Sequence, residues 1–235
     1  MVSRKIDKAL HGPSLAEVVL GVVLSLILGA ACACAYLVLK PVALVKEMPK
    51  DKERVAGMVY YLEGSNDATR GKQWMRKKQL FLGGSSVTLN EDELNAWITA
   101  GTAASNDKGA PAAKPGKSLP APPGPMVQMD VPNFRMSGGM LQIGTKGTLN
   151  LDVFGMKRPL VVQASGRFVK RGGEFVFAAD QFYVGSFPMH KIFGSDEPVL
   201  DHLIGSQKVS EDIVTAWKKL VDVSIEGNTL KLSMP

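Results

Sequence analysis

The chain has 235 residues, of which 45% are hydrophobic, and this length can bury one substantial core. Its net charge of +6 is a mild excess, unlike the clustered positive charge of a dedicated nucleic-acid-binding protein, so no nucleic acid is expected as a partner. Both cysteines, Cys32 and Cys34, lie inside one apolar run, which excludes a disulfide framework or a thiolate metal site elsewhere in the chain.

An apolar run near the N-terminus predicts a transmembrane helix at residues 14–40, after a short basic tail at residues 1–13. Val18 to Leu39 carries no charged side chain. At 1.5 Å per residue, this stretch would cross roughly 30 Å, the thickness of the hydrocarbon core of a bilayer. The membrane bilayer is therefore the first expected partner.

Two other interpretations of this run stay open. The A-x-A patterns centred on Cys32 and Cys34 are typical of signal-peptide cleavage sites. Lipidation of Cys32 would need a leucine-like residue at the position of Gly29. The apolar run continues past both patterns, which favours a retained signal anchor.

The charges that flank the run do not settle its orientation. Three cations precede it, and those that follow are diluted by acidic residues. A short tail before a long apolar segment resembles a signal anchor, so we expect residues 41–235 to face the periplasm or the cell exterior.

Small residues recur every four positions along the run, at Gly21, Ser25, Gly29 and Ala33. This spacing places them on one helix face, where a helix of a partner membrane protein can approach closely. The alternative is that such residues are simply common in membrane helices.

Residues 41–100 are predicted to form juxtamembrane helices, the first part of the globular domain. Lys46–Leu62 is expected to continue as helix, and Asn66–Phe81 is expected to be a second helix. The second helix combines cations with an aromatic residue, which is typical of contact with a membrane surface. The favoured interpretation is nevertheless an ordinary helix with a solvated charged face. The residues of this possible contact are Arg70, Lys72, Trp74, Arg76, Lys77 and Lys78.

A strand at Val87–Leu89 precedes a helix that begins with a capping box. Asn90 and Glu93 have the spacing at which each side chain caps the other's backbone N–H. Leu94, Trp97 and Ile98 then lie on one face, which is expected to enter the core. Residues 101–126 are rich in Ala, Pro and Gly and are predicted to be a disordered insertion.

Residues 127–235 predict an antiparallel sheet followed by a helix and a hairpin. Apolar and polar residues alternate at 141–143 and 148–153. Arg158–Lys170 is expected to form the next strand, and a turn at 171–173 leads to a strand at Glu174–Val184. In that strand, period two places Phe175, Phe177 and Tyr183 on one face and Val176, Phe182 and Val184 on the other. A short helix is expected around Val199–Ile204, and Ser210 is expected to cap a helix that carries Trp217.

These elements predict an α+β fold, in which an N-terminal transmembrane helix precedes a curved antiparallel sheet packed against helices. A helix crossing a curved sheet can leave an apolar groove for a lipid ligand. The expected groove residues are Trp97, Phe175, Phe177, Phe182 and Trp217.

The motifs of common enzymes are missing from the sequence. His11, His190 and His202 are isolated, and there is no nucleophile elbow, phosphate-binding loop or metal-ligand spacing. The chain is therefore predicted not to be an enzyme and to need no cofactor or metal.

Three stretches of the chain resemble the YpmS-like family, which comprises bacterial single-pass membrane proteins with an uncharacterised extracytoplasmic domain. They are V-T-L-N-E-D-E-L-N-A-W-I at 87–98, V-G-S-F-P-M at 184–189 and N-T-L-K-L-S-M-P at 228–235. Leu94-Asn95 and Gly185-x-x-Pro188 are the most distinctive. The resemblance implies an outward-facing domain with no known catalysis, while the insertion and the basic helix depart from the family pattern.

Together these features predict a membrane-anchored envelope protein with a domain that binds a lipid or a partner protein. The alternative is a structural or assembly subunit of a membrane complex, which acts through the transmembrane helix and the flexible insertion.

Overall fold

The computed structural model describes residues 13–106, 127–151, 156–193 and 210–235. Most of the basic tail, most of the predicted insertion and the short helix expected around Val199–Ile204 lie outside the described residues, as does His202.

The N-terminal helix, α1, spans Leu15–Leu39. It begins with a capping box, because Glu17 N donates to Ser14 Oγ at 3.3 Å and Ser14 N donates to the Glu17 carboxylate at 3.1 Å. It ends at Lys40, whose backbone is extended, as expected for a residue before proline. No residue of α1 is buried, and the helix is long and apolar enough to cross a membrane.

The stretch after α1 corrects the prediction of a continuing juxtamembrane helix at Lys46–Leu62, which is wrong. Strand β1 spans Ala43–Val45, a 3₁₀ turn spans Asp51–Glu53, and strand β2 spans Tyr60–Leu62 and pairs in parallel with β1. Pro49 and Gly57, whose φ is +72°, interrupt the segment, and proline is unfavourable inside a helix. We call residues 43–62 the juxtamembrane segment.

Two helices follow with bounds different from those predicted. A 3₁₀ turn at Arg70–Gln73 leads into α2, Trp74–Leu82, so the helix is shorter than the predicted Asn66–Phe81. Helix α3 spans Glu91–Asn106. The disordered insertion was predicted to begin at residue 101, and this is wrong for residues 101–106, which continue α3.

The capping box predicted for α3 is confirmed. Glu93 N donates to Asn90 Oδ1 at 2.8 Å, and Asn90 N donates to Glu93 Oε2 at 2.9 Å. Leu94 and Trp97 are buried, as the helical spacing predicts.

A six-stranded antiparallel sheet dominates the back half and confirms the predicted α+β class. The strands are β4 (Val127–Met129), β5 (Asn133–Ser137), β6 (Met140–Leu151), β7 (Met156–Arg171), β8 (Glu174–Val184) and β9 (Phe187–Pro188). They lie in the order β4–β6–β7–β8–β9, and β5 also pairs with β6. Gly172 and Gly173, both with positive φ, form the predicted turn between β7 and β8.

A β-bulge corrects the predicted faces of β8. Ser165 pairs with Gln181 and Gly166 with Ala179, so Asp180 is the extra residue. An extra residue reverses the alternation of side chains beyond it. Phe182 therefore shares the core face with Phe177, and Tyr183 lies on the opposite face.

The hydrophobic core lies between one face of this sheet and a second layer of helices and strands. The second layer holds α2, α3 and α5 (Glu211–Trp217), with the antiparallel strands β3 (Val87–Asn90), β10 (Asp222–Glu226) and β11 (Thr229–Ser233). Phe81 and Trp97 meet edge to face at 6.0 Å between centroids. The short helix α4, Met189–Phe193, follows β9.

Candidate functional site

The juxtamembrane segment covers the face of the large sheet that is opposite the core. The Tyr61 ring lies on Gly144, where a Cβ atom would overlap the ring, and only 1% of Tyr61 is exposed. Burial, aided by the charge of Glu63, raises the pKa of Tyr61 to about 12, so its phenol stays protonated and neutral at physiological pH. Gln163 Nε2 donates to the Tyr60 carbonyl at 3.1 Å, which adds a polar tie between the two layers.

A buried polar node fixes the chain that follows this segment. Asn95 Nδ2 donates to the carbonyls of Ser65 and Phe134, each at 2.8 Å, and Phe134 N donates to Asn95 Oδ1 at 2.7 Å. Asp92 Oδ1 accepts from Ser65 Oγ at 2.5 Å and from Asp67 N at 2.7 Å. These polar side chains at the start of α3 therefore cross-link segments that are far apart in the sequence.

The end of α1 docks on the turn between β8 and β9. Ser186 N donates to the Leu37 carbonyl at 3.0 Å, and Ser186 Oγ donates to the Lys40 carbonyl at 3.3 Å. Gly185 has a φ of +59°, and a Cβ atom there would overlap the carbonyl group of Val38. Only glycine satisfies both demands at this position.

The juxtamembrane segment meets the same end of α1. Lys40 Nζ donates to the Gly57 carbonyl at 2.6 Å. Both the sheet and the segment that covers it are thus tied to the residues with which α1 ends.

Between these two layers lies an open cleft of about 440 Å³. Three methionines around it are exposed to solvent: Met48 at 50%, Met58 at 38% and Met140 at 43%. The other lining residues are mostly polar or aromatic, and they include Tyr60, Tyr183, Arg135, Ser137, Gln142, Gln163, Ser165, Asp180 and Gln181. The cleft is therefore amphipathic, with thioether and aromatic surface beside carboxamides and two charges.

Both walls of the cleft lead to the end of α1. On one wall, Met58 follows Gly57, whose carbonyl accepts the hydrogen bond from Lys40. On the other wall, Tyr183 lies three positions before Ser186, which is hydrogen-bonded to the carbonyls of Leu37 and Lys40. This part of the cleft consequently lies beside the point where α1 meets the domain.

The small-residue face predicted on α1 is exposed. Gly21, Ser25, Gly29 and Ala33 all face outward, and a Cβ atom added at Gly21 or Gly29 meets no other atom of the described residues within 4 Å. A partner helix on this face stays a prediction.

The basic helix, α2, has its aromatic residue and one cation turned inward. Trp74 packs against the core, and Lys77 Nζ bonds to Glu93 at 2.7 Å and to the Thr88 carbonyl at 2.8 Å. Arg70 lies 3.7 Å from Asp67. Lys72 and Arg76 are exposed and Lys78 is half-buried, which fits a core helix with a largely solvated charged face.

The five aromatic residues predicted to line an apolar groove pack instead in the two hydrophobic clusters. Trp97 is buried, Phe175 and Phe177 pack beside the larger cluster, and Phe182 lies in the smaller one. Trp217 Nε1 donates to the Phe175 carbonyl at 2.7 Å. None of the five lines the cleft, which is on the other face of the sheet.

The sequence interpretation missed the cleft and its methionines. It assigned Met48 and Met58 to a helix, which hid the fact that they line one cleft together with Met140. The signal in the sequence that could have indicated the docking of α1 was Gly185, which lies in a stretch interpreted as a turn.

Among the histidines, His190 is the one that the structure describes in full. Its Nδ1 lies 3.2 Å from Phe182 N and 3.1 Å from Phe182 O, and its ring meets Tyr183 edge to face. Within the described residues, no three His, Cys, Asp or Glu side chains are placed to hold a metal ion.

Comparison with known proteins adds no relative. No family model, curated protein or solved structure matches the chain. The resemblance to the YpmS-like family therefore stays a prediction.

Proposed function

We propose that the chain is a membrane-anchored, non-enzymatic protein of the cell envelope, whose outward-facing domain binds a lipid in the cleft. The observation that carries this proposal is the position of the cleft. Both of its walls are tied to the end of a helix that is long and apolar enough to span a bilayer. A lipid that leaves the bilayer beside α1 would meet the cleft first.

The chemistry of the cleft suits an amphipathic ligand. Methionine side chains are flexible and polarisable, so they adapt to chains of different shape. Carboxamides donate and accept hydrogen bonds, which suits the ester and hydroxyl groups at the polar end of a lipid. The Gln142 and Gln163 side chains are already ordered by a 2.9 Å bond between them.

Filling the cleft is expected to exclude the lipid. Gln181 is exposed and lines the cleft, so a Gln181→Trp change should occupy the cleft without disturbing the core. We expect the full chain, extracted in mild detergent, to retain one lipid in native mass spectrometry. The occupied fraction should fall at least about tenfold in the variant, which corresponds to an affinity loss of at least about 1.4 kcal/mol.

The matched control is Gln79→Trp, an identical change at an exposed position of α2 that does not line the cleft. It should retain lipid as the wild type does. A wild-type chain without lipid, or equal retention by the two tryptophan variants, contradicts the proposal.

A further inference from the structure

Among the described residues that line the cleft, Arg135 is the one cation, and one side of its guanidinium group is held by hydrogen bonds. It lies on β5, and its Nη1 donates to the carbonyls of Lys46 at 2.9 Å and Glu63 at 3.1 Å. Within the described part of the chain, its Nε and Nη2 carry no hydrogen bond. Part of the planar fork of donors is thus fixed, and part is free to bind a ligand.

No carboxylate neutralises Arg135 among the described residues. The carboxylate of the nearby Glu63 pairs with Lys146 instead, whose Nζ donates to both carboxylate oxygens at 2.8 Å. Asp180 also lines the cleft, but it lies 3.5 Å from Arg167 and three strands away from β5, about 14 Å at the usual strand spacing. The positive charge at this end of the cleft is therefore uncompensated.

We infer that Arg135 binds an anionic phosphate group, and, resting on the proposed function, that the ligand of the cleft is a phospholipid. Arginine pairs with phosphate through two parallel N–H donors, and such charge-assisted bonds are about twice as strong as neutral ones. Ser137 and Gln142 line the same cleft and supply further donors. The exposed methionines then cover the first part of the acyl chains.

The test uses the full chain in detergent and two lipids with identical acyl chains, phosphatidylglycerol and the uncharged diacylglycerol. Native mass spectrometry should show retention of phosphatidylglycerol and at least about tenfold lower occupancy by diacylglycerol. This comparison needs no variant, so it tests phosphate recognition even if substitutions at Arg135 weaken the fold.

The variant Arg135→Gln should retain about tenfold less phosphatidylglycerol while its diacylglycerol occupancy stays unchanged. Its control is Lys146→Gln, which removes a cation bonded to the same Glu63 but one that does not line the cleft. The control should retain phosphatidylglycerol as the wild type does. If both variants lose phosphatidylglycerol equally, the cause is a disturbed cleft wall and not the loss of a phosphate contact. That result would overturn the inference.

The outcomes separate this inference from the proposed function. Equal occupancy by both lipids would overturn phosphate recognition and leave lipid binding standing, whereas occupancy by neither would remove both. Glycerol 3-phosphate is the third arm, because it carries the phosphate without chains. If millimolar glycerol 3-phosphate displaces phosphatidylglycerol from the wild type as effectively as phosphatidylglycerol itself does, the ligand is a soluble phosphate compound and the phospholipid assignment fails.

Discussion

Replacing Asn95 with alanine is expected to lower the free energy of unfolding by about 3 kcal/mol. The Asn95 side chain is 2% exposed and makes three bonds to the main chain of Ser65 and Phe134. Alanine leaves two carbonyls and one N–H without these partners, and each unsatisfied buried polar group costs about 1 to 3 kcal/mol. The measurement is urea unfolding of the full chain in detergent, followed by tryptophan fluorescence.

Thr99→Ala is the matched control, one turn later on α3. The exposed Thr99 donates a single bond, to the Asn95 carbonyl at 2.8 Å. Its loss should cost less than about 1 kcal/mol, because water can replace the bond. If the two variants are equally stable, the node does not hold the segments together as described.

A Gly185→Ala change is expected to separate the end of α1 from the domain. The added Cβ would lie 2.9 Å from the Val38 carbonyl carbon and still closer to its oxygen, and the φ of +59° adds a strain of about 1 kcal/mol. The two bonds from Ser186 to α1 should then be lost, for a total of more than about 2 kcal/mol.

Spin labels at Tyr36 and Gln128 report this separation, in a chain whose Cys32 and Cys34 are replaced by alanine and which is reconstituted in nanodiscs. Both labelled positions are exposed. We expect a narrow distance distribution for the parent chain and a broad one after Gly185→Ala. Gly172→Ala is the control, since its φ of +58° gives similar strain but no described atom lies within 4 Å of the added Cβ. A narrow distribution in the Gly185 variant would show that α1 is not docked in this way.

Sequence patterns predicted the parts of the fold that depend on interactions between residues close in the sequence or on the burial of one face of an element. The alternation within β6 follows from one buried face, and the capping box at Asn90 and Glu93 follows from short-range hydrogen bonds. Tertiary contacts determine the conformation of the juxtamembrane segment. There the Tyr61 ring is buried against Gly144, a contact that no local sequence pattern reveals. The bulge at Asp180 was equally hidden, because an extra residue changes the face of a side chain without a composition signal.

The cleft is formed by these two features, the juxtamembrane segment and the bulge at Asp180, which the sequence patterns did not reveal. With Met48 and Met58 assigned to a helix and Tyr183 placed on the same strand face as Phe175 and Phe177, no pattern in the sequence brought these residues together. The aromatic residues chosen from the sequence were correctly recognised as apolar, but burial in a core and exposure in a groove have the same signature in sequence.

Photo-crosslinking in native membranes tests the central claim most directly. A benzophenone amino acid at Tyr183, which lines the cleft beside the end of α1, should form a covalent adduct whose added mass is that of one phospholipid. The same amino acid at Lys231 of β11, which does not line the cleft, should form none. Absence of a lipid adduct at Tyr183, or equal adducts at both positions, would contradict a lipid site in the cleft.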